Sequence, residues 1–329
     1  MRTILKDVLL FQEDAPRNLT LDFATMSDGS LDSYWSIVTG KAYCSPSYPT
    51  ELLTDPSIEL WTSATVPQAP WAKLISGTST VNKESTVVDD GTYSARLDID
   101  ASNSLANISQ AITLPIYTWA KVSCRAKNSA SGKGFGMQLG SVLSPVYTTT
   151  TSFATYKAVL KSGAANPDVA LKRAGTCNST SVYIDKCSAR TPVLSTVLRL
   201  TKYLFSLGIT KCSWNIVAAS PAGVGMCWDS KPNPLNGLML VHDGTNLIFD
   251  EYLNGVITNL FTTATTYVAG ADIEIRHTAS TTFKAYYNGS QVGADQTITD
   301  TRIINNKYHG LASFDDQSGA IKLVHTGNP

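Results

Sequence analysis

Strict alternation of apolar and polar residues is the feature that most constrains the fold of this 329-residue chain. The pattern recurs in GTYSARLDID (91–100), TWAKVSCRAK (118–127) and DIEIRHT (272–278). Successive side chains of a β-strand point to opposite faces, so the alternation predicts strands with one buried face and one exposed face. In TWAKVSCRAK the alternation places Cys124 on the buried face, where a thiol packs as a small hydrophobe.

Turn-forming dipeptides lie between such runs. Asp243-Gly244, Asn254-Gly255 and Asn288-Gly289 supply the positive φ angles that a tight hairpin requires. The segment LSTVLRLTKYLFSLG (194–208) has no helix cap and fits a helix or a strand with a linker equally well. These features predict an all-β protein made of two β-sandwich (jelly-roll) domains.

The composition argues against two classes of partner. Lys and Arg number 26 and Asp and Glu also number 26, so no net field attracts the chain to nucleic acid or anionic lipid. No apolar run approaches the length of a membrane span. We therefore expect neither a nucleic-acid partner nor a membrane partner.

Two strand-like openings follow each other closely and suggest that one domain is inserted in another. SDGSLDSYWSIVTG (27–40) is typical of a first sandwich strand, and ELLTDPSIELW (51–61) is typical of another. A segment whose ends meet can be inserted into a surface loop at little cost. The sequence therefore predicts an outer domain over 20–50 plus 192–329 and an insert over 51–191.

Residues 1–19 form a separate N-terminal segment in this scheme. Their apolar residues are interrupted by Lys6 and Asp7, and no small-residue cleavage site follows, so the segment is a poor signal peptide. It is expected to be an edge strand or an arm, docked on its own domain or on a neighbouring subunit.

The insert resembles the family 4/9-type carbohydrate-binding modules, which are jelly rolls. The matching stretches follow the order of that family, with Ile58 where the family usually has Phe. They are LLTDPSIELW (52–61), DDGTYSARLDI (89–99), ISQAITL (108–114), YTWAKVSCRAK (117–127), FATYKAVL (153–160) and VYIDKCSA (182–189).

The same resemblance implies a structural calcium ion, because the family commonly holds one with oxygens from its first and last strands. It points to Glu59 and Asp185 as ligands, and Ca²⁺ prefers such oxygen donors. Each carboxylate could instead cap a strand end or pair with a lysine, and the sequence leaves both interpretations open.

The outer domain resembles the concanavalin A-like, laminin-G-type sandwich, especially the copies found in phage tail proteins. The stretches that carry the resemblance span its entry strand, central strands, final hairpin and closing strand. They are DFATMSDGSLDSYWSIVTG (22–40), AGVGMCWDSKPNPLNGLMLVHDGTNLIFDEY (222–252), FKAYYNGSQVG (283–293) and YHGLASFDD (308–316).

Aromatic side chains are the candidate glycan-binding groups, since a pyranose presents a C–H face that stacks on a ring. The candidates are Trp61, Trp71, Tyr147, Tyr156 and Trp228. For Trp61 and Tyr156 core packing is the stronger alternative. Trp71 lies in the Pro-rich stretch VPQAPWAK without an evident core role, and Trp228 precedes a loop that could border a binding face.

Hydrolytic activity is not expected. Asp272 and Glu274 share one strand face, as the two carboxylates of some glycoside hydrolases do. However, the next residue on that face is Arg276, and Ile273 and Ile275 turn the opposite face to the core. The acids are therefore expected to face solvent, and the chain is expected not to be an enzyme.

The cysteines and histidines show no metal-binding spacing. None of the six cysteines (Cys44, Cys124, Cys177, Cys187, Cys212, Cys227) forms a CxxC pair. Free thiols are expected, with a Cys177–Cys187 bridge as the alternative. The four histidines (His242, His277, His309, His325) are scattered along the sequence.

Together these expectations describe a non-catalytic virion protein, such as a bacteriophage tail, fibre or capsid-decoration component that binds host polysaccharide. It would be made in the host cytoplasm and displayed in many copies, or as a homo-oligomer, at the virion surface; an extracellular surface is the alternative location. One alternative function is a structural subunit that uses its sandwiches only for protein–protein contacts. Another is an accessory carbohydrate-binding protein of a polysaccharide-degrading system.

Overall fold

A computed structural model of the protein describes residues 18–99, 105–173 and 180–327. These residues form two compact units. Unit 1 contains the described residues up to Ser47 and from Val193 onward, and unit 2 contains those from Tyr48 to Pro192. Nearly all regular structure is β-strand, which confirms the predicted all-β class. That residues 51–191 fold as an independent insert stays a prediction, and of the predicted segment 1–19 only Asn18 and Leu19 are described.

The strands and helices have the following bounds. Unit 1 begins with β1 (Asn18–Asp22), a 3-10 helix (Phe23–Thr25), β2 (Gly29–Ser30), β3 (Trp35–Val38) and β4 (Lys41–Cys44). Unit 2 contains β5 (Thr50–Glu51), β6 (Trp61–Ser63), β7 (Val66–Pro67), β8 (Ala72–Ile75), β9 (Thr80–Glu84), β10 (Ser94–Ile99), β11 (Ala106–Ala111), β12 (Trp119–Asn128), β13 (Lys133–Leu139), β14 (Val142–Leu143), β15 (Tyr147–Thr149), β16 (Ala154–Lys161), β17 (Asp168–Arg173) and β18 (Thr180–Thr191). Unit 1 continues with α1 (Leu194–Val197), β19 (Leu198–Lys202), β20 (Gly208–Asn215), β21 (Ala222–Trp228), β22 (Gly237–His242), β23 (Asn246–Leu253), β24 (Val256–Ala264), β25 (Asp272–Ala279), β26 (Thr282–Tyr287), β27 (Ser290–Thr297), α2 (Thr301–Ile304), β28 (Tyr308–Ser313) and β29 (Gly319–Gly327).

Unit 1 is a sandwich of two antiparallel sheets. Its large sheet has the order β2-β3-β4-β29-β20-β25-β26-β27, with β1 also paired to β29, and its small sheet has the order β19-β28-β21-β22-β23-β24. The inner faces bury one apolar core, in which the rings of Trp35 and Trp214 meet edge to face with centroids 6.5 Å apart. Such edge-to-face contacts between aromatic rings are favourable.

Three of the four histidines, which the sequence separates widely, lie together inside unit 1. His309 and His325 stack with ring centroids 4.5 Å apart, and the Tyr203 ring lies 3.9 Å from that of His325. The backbone N–H of Cys227 donates to Nδ1 of His309, and the Cys227 thiol lies 4.0 Å from Nδ1 of His277. No group of three metal-ligating side chains occurs among the residues that the structure describes.

Unit 2 is a second sandwich. We name each of its sheets after one of its inner strands: the β12 sheet (β16-β12-β18-β10-β9, with β5 on β18) and the β13 sheet (β14-β13-β17-β11-β8, with β15 on β13). As the alternation predicts, Leu97, Val122, Cys124 and Ile184 of the β12 sheet are buried, while the residues between them face outward.

A bulge interrupts β18 in the middle of this sheet. The register between β12 and β18 shifts between Ser123 and Arg125, and Lys186 adopts a φ of 44°. A bulge adds one residue to a strand and re-aims its side chains. Asp185 is thereby fully buried and Lys186 is exposed, which simple alternation does not predict.

The strand predicted over 51–61 is wrong over most of its length. Only Glu51 at its start and Trp61 at its end belong to strands, and the residues between them form a loop. The Asp55 carboxylate accepts hydrogen bonds from the backbone N–H groups of Glu59 and Leu60, at 3.1 and 3.0 Å. This Asx-type capping competes with ladder pairing, so the segment turns back instead of extending.

Other local predictions are settled by the structure. Both residues of Asn254-Gly255 and Asn288-Gly289 have positive φ, whereas Asp243 instead accepts hydrogen bonds from the backbone N–H groups of Thr245 and Asn246. Segment 194–208 begins with α1 and continues as β19.

The five cysteines in the described part are buried free thiols, and Cys177 lies outside it. No helix in this part is long and apolar enough to cross a membrane.

Candidate functional site

Two of the five predicted glycan-binding rings are buried, so those predictions are wrong. The Trp71 side chain is only 3% exposed, and its Nε1 donates to the backbone oxygen of Asp55 at 2.8 Å. Trp228 is fully buried on the outer side of the small sheet, where it fills the space left by two glycines. A Cβ atom added to Gly237 would lie 2.4 Å from the Trp228 ring. Neither ring has a free face for a sugar.

The other three predicted rings are half-buried, and the structure brings only two of them together. Tyr147 and Tyr156 have ring centroids 5.3 Å apart, and Tyr156 also contacts Phe135 of the β13 sheet. The Tyr147 hydroxyl donates to the backbone oxygen of Lys157 at 2.6 Å. Trp61 donates from Nε1 to the backbone oxygen of Ile58. A role for these three residues in glycan binding stays a prediction.

Glu59 and Asp185 hold the same loop, residues 89–93, from two directions. Glu59 accepts hydrogen bonds from the backbone N–H groups of Thr92 and Tyr93, and both of its carboxylate oxygens are used. Asp185 accepts from the N–H groups of Asp89 and Asp90 through Oδ2 and from that of Lys186 through Oδ1. Burial raises the pKa of the Asp185 carboxyl, while these N–H donors oppose the shift.

This donor set does not fit a calcium ion held between the two carboxylates. Every one of the four oxygens already accepts a backbone N–H, and five backbone N–H groups in all direct their positive ends at these oxygens, an arrangement that repels a nearby cation. A Cβ atom on Gly91 would lie 2.0 Å from Oε1 of Glu59, so the loop fits tightly against the carboxylate.

We therefore expect calcium to have no effect on the stability of unit 2. Thermal unfolding of the full chain, followed by circular dichroism, should give the same midpoint in excess calcium and in EDTA. A ligand that binds only the folded state raises the midpoint with its concentration, so a midpoint that rises with calcium would restore the metal site.

The carboxylates considered for hydrolysis are engaged with neighbouring side chains. Asp272 lies at a surface cavity of about 200 Å³ with Lys211, Ser213 and Lys322. Burial opposes ionisation of Asp272, but hydrogen bonds from Ser213 and Lys211 outweigh it and lower the pKa of the carboxyl. Glu274, which was expected to face solvent, is instead only 5% exposed and is bound by Arg276. Glycoside hydrolysis requires one protonated carboxylic acid beside one carboxylate. Because its pKa is lowered, Asp272 is ionised and does not suit the role of the protonated acid.

A row of five side chains crosses the outer face of the β12 sheet. Lys127, Tyr183, Arg96 and Asn82 stand directly opposite one another on β12, β18, β10 and β9, and Phe153 lies beside Lys127 just before β16. All five are half-buried. Neighbouring strands lie about 4.8 Å apart, so this cross-sheet row extends for roughly 19 Å.

A hydrogen-bonded network beside the row, on the same face of the sheet, fixes two of its members. Asp98 accepts from Nε of Arg96 at 3.0 Å and from the amide nitrogen of Asn82 at 2.7 Å. Arg96 also pairs with Glu84 at 2.9 Å. Burial opposes ionisation of Glu84, but hydrogen bonds from Thr86 and Arg96 outweigh it and lower its pKa to about 2. These side chains are therefore ordered before any ligand arrives.

Several polar groups of the row point outward without a protein partner. Within the described residues, the Tyr183 hydroxyl, the Lys127 ammonium group and the Asn82 amide oxygen make no hydrogen bond. The ammonium group instead lies 5.7 Å from the ring centroids of both Phe153 and Tyr183. Along the row the Lys127 donor lies between the rings of Phe153 and Tyr183, and the Asn82 acceptor lies at the far end.

Sequence reasoning missed this row, although a signal for it was present. Tyr183 lies between Val182 and Ile184, so alternation places it outward, as it does Lys127 and Arg96. The sequence does not show that β12 and β10 flank β18, and only that pairing brings the three side chains into line.

Comparison with known proteins gives similarity to solved structures only. Neither a family model nor a curated protein matches the chain. TmCBM61, solved with β-1,4-galactotriose, is 17% identical, with 43% of this chain and 99% of that one covered at a TM-score of 0.31. The tandem CBM22-1–CBM22-2 domain of Paenibacillus barcinonensis Xyn10C is 9% identical, with 86% and 98% covered at 0.32.

A third similar structure is the enzymatically active domain of tailspike protein 4 of bacteriophage CBA120. It is 15% identical, with 42% of this chain and 21% of that one covered, at a TM-score of 0.31. Because TM-scores and identities are low in all three cases, we infer nothing about the function of this chain from them. The laminin-G-type and family 4/9-type resemblances stay predictions.

Proposed function

We propose that the protein is a non-catalytic glycan-binding protein that holds a polysaccharide along the cross-sheet row of unit 2. The observation that carries the proposal is the row itself: two half-buried rings alternate with polar side chains that have unused hydrogen-bonding groups. Apolar C–H faces of a sugar suit the rings, and its hydroxyl groups suit the Tyr183 phenol and the guanidinium and amide groups that follow it along the row.

The network beside the row supports this proposal on energetic grounds. Binding is weakened when side chains must be ordered as the ligand arrives. Arg96 and Asn82 are already held by Asp98, and Arg96 also by Glu84, so little of that cost remains. An ordered polar surface around aromatic rings is the arrangement expected for recognition of a polyhydroxylated chain.

We expect Tyr183→Ala to weaken polysaccharide binding at least tenfold. Tyr183 is the central member of the row, and aromatic hot-spot residues at the centre of a binding surface contribute ~2 kcal/mol or more, which exceeds the ~1.4 kcal/mol of a tenfold loss. Isothermal titration of the full chain against xylan, galactan, dextran and polygalacturonate measures the effect.

The matched control is Tyr286→Ala, which removes a half-buried tyrosine from the outer face of the large sheet in unit 1. It should leave binding unchanged. Equal loss in both variants, or no binding of any of the four polysaccharides by the wild-type chain, would refute the proposed function.

For the biological setting we propose a multicopy assembly such as a virion surface, where copies multiply a weak single-site affinity. Its support is the sequence resemblance of unit 1 to domains of phage tail proteins. Light scattering on the purified chain tests it: a stable oligomer is expected. A monomer at all concentrations that still binds glycan would favour the accessory carbohydrate-binding role, and an oligomer without glycan binding would favour the purely structural role.

A further inference from the structure

We infer that the glycan held by the cross-sheet row is acidic, with its anionic group placed at Lys127. This inference rests on the proposed function and names the class of ligand. The shared chemistry is a negatively charged group on a sugar, either a uronate carboxylate or a sulfate ester.

The first argument comes from the charges on the outer face of the β12 sheet. Arg96 pairs with Glu84 at 2.9 Å, Arg125 with Asp89 at 2.8 Å, and Arg190 with Glu51 at 2.9 Å. Lys186 pairs with Asp90 at 3.2 Å. In contrast, Lys127 has no carboxylate within ion-pairing distance among the described residues. One positive charge in the row is therefore left without a counter-ion.

The second argument is the environment of that charge. The Lys127 ammonium group lies between the rings of Phe153 and Tyr183, each 5.7 Å away, and the residue is half-buried. The rings attract the cation and hold it in the row, but they neither accept a strong hydrogen bond nor neutralise its charge. A ligand anion would supply both, as a charge-assisted hydrogen bond.

The third argument is that the carboxylate beside the row, that of Asp98, is already compensated. The oxygens of Asp98 accept from Arg96, Asn82, Thr80 and Ser181. An anion approaching Lys127 therefore meets no uncompensated carboxylate in the row. The Tyr183 hydroxyl, on the residue directly opposite Lys127, is available as a second donor to the same anion.

The test uses pairs of polysaccharides that differ only in charge. Polygalacturonate is compared with its methyl ester, and dextran sulfate with dextran, by titration of the full chain at low and high ionic strength. We expect the acidic member of at least one pair to bind about tenfold more tightly, with the preference reduced by salt. The pair that shows the preference distinguishes a carboxylate from a sulfate ester.

Three lysine variants make the assignment specific. Lys127→Gln should remove the preference for the acidic polysaccharide, and Lys127→Arg should retain it because the charge is kept. Lys172→Gln is the control: Lys172 lies on the outer face of the opposite sheet and donates to Gln138 at 2.6 Å, so its loss should change nothing.

The outcomes separate this inference from the proposed function. Equal binding of charged and neutral polysaccharides, unchanged by Lys127→Gln but lost in Tyr183→Ala, would overturn the acidic ligand and leave glycan binding in place. A preference that survives in Lys127→Gln would also overturn the inference. Absence of binding to every polysaccharide would overturn both.

Discussion

Acidification from pH 6.5 to 4.5 should destabilise unit 1 and leave unit 2 unchanged. All four histidines of the chain lie in unit 1, and none lies between residues 48 and 192. Burial lowers the pKa of His325 to about 4, and burial, followed by the proximity of His325, holds the pKa of His309 well below its ordinary value. In this pH range the histidines of the unfolded chain therefore bind protons that the same histidines do not bind in folded unit 1.

The sign of the effect follows from proton linkage. An ordinary histidine has a pKa near 6.5, so stability is complete above that pH and is lost as the pH falls toward the folded value. For His325 alone, the loss between pH 6.5 and 4 amounts to about 3 kcal/mol. His309 adds to the loss, and stacking against His325 makes protonation of both rings unfavourable.

Unit 2 should lose stability only at lower pH, because the raised pKa of Asp185 gives no loss as the pH falls. Glu84 contributes stability that is complete above about pH 4.5 and is lost as the pH falls toward its folded pKa of about 2. Hydrogen-exchange mass spectrometry on the full chain reports the two units separately. Between pH 6.5 and 4.5 the peptides of unit 1 should lose protection and those of unit 2 should not. Equal loss in both units, or none in unit 1, would contradict the account of the histidine cluster.

Replacement of Asp185 by alanine should destabilise unit 2 by about 3 kcal/mol or more. Asp185 is fully buried, and its carboxylate accepts the N–H groups of Asp89, Asp90 and Lys186. The three N–H groups are partly buried, so each donor left without an acceptor costs about 1 kcal/mol, the low end of the penalty for a buried donor. Urea unfolding of the full chain, with hydrogen exchange to identify the unit affected, measures the loss.

Two variants control for the chemistry of this position. Asp185→Asn keeps one oxygen acceptor and should retain part of the stability. Asp90→Ala removes an exposed carboxylate that pairs with Lys186 at the surface and should cost less than about 1 kcal/mol. A loss in Asp185→Ala that appears only when calcium is present would contradict the assignment of this carboxylate to backbone N–H groups.

The all-β fold could be predicted because it depends on a local pattern. Alternation in β10, β12 and β25 marks the buried face of each strand, and Asn254-Gly255 and Asn288-Gly289 mark the turns. Segment 51–61 could not be predicted, because the Asp55 carboxylate captures backbone N–H groups that a strand would place in its ladder. Propensity does not reveal such competition between side chain and backbone.

The candidate site was harder to predict because its parts are distant in sequence. Trp71 and Trp228 were selected for their loop or loop-edge positions, but long-range packing buries both rings. Tyr183 and Arg96 become a site only through the pairing of β18 with β10, across nearly ninety residues of chain. The histidines likewise become neighbours only when the sheets of unit 1 assemble. Non-local strand pairing, which alternation does not encode, supplies all of these contacts.

The most direct test of glycan binding along the cross-sheet row is hydroxyl-radical footprinting of the full chain. The chain is oxidised alone and with the polysaccharide of the titration panel that binds most tightly, and modified side chains are identified by mass spectrometry. We predict that Phe153 and Tyr183 lose reactivity when the polysaccharide is present, while Tyr286 of unit 1 does not. Unchanged reactivity of Phe153 and Tyr183, with protection elsewhere, would contradict the account.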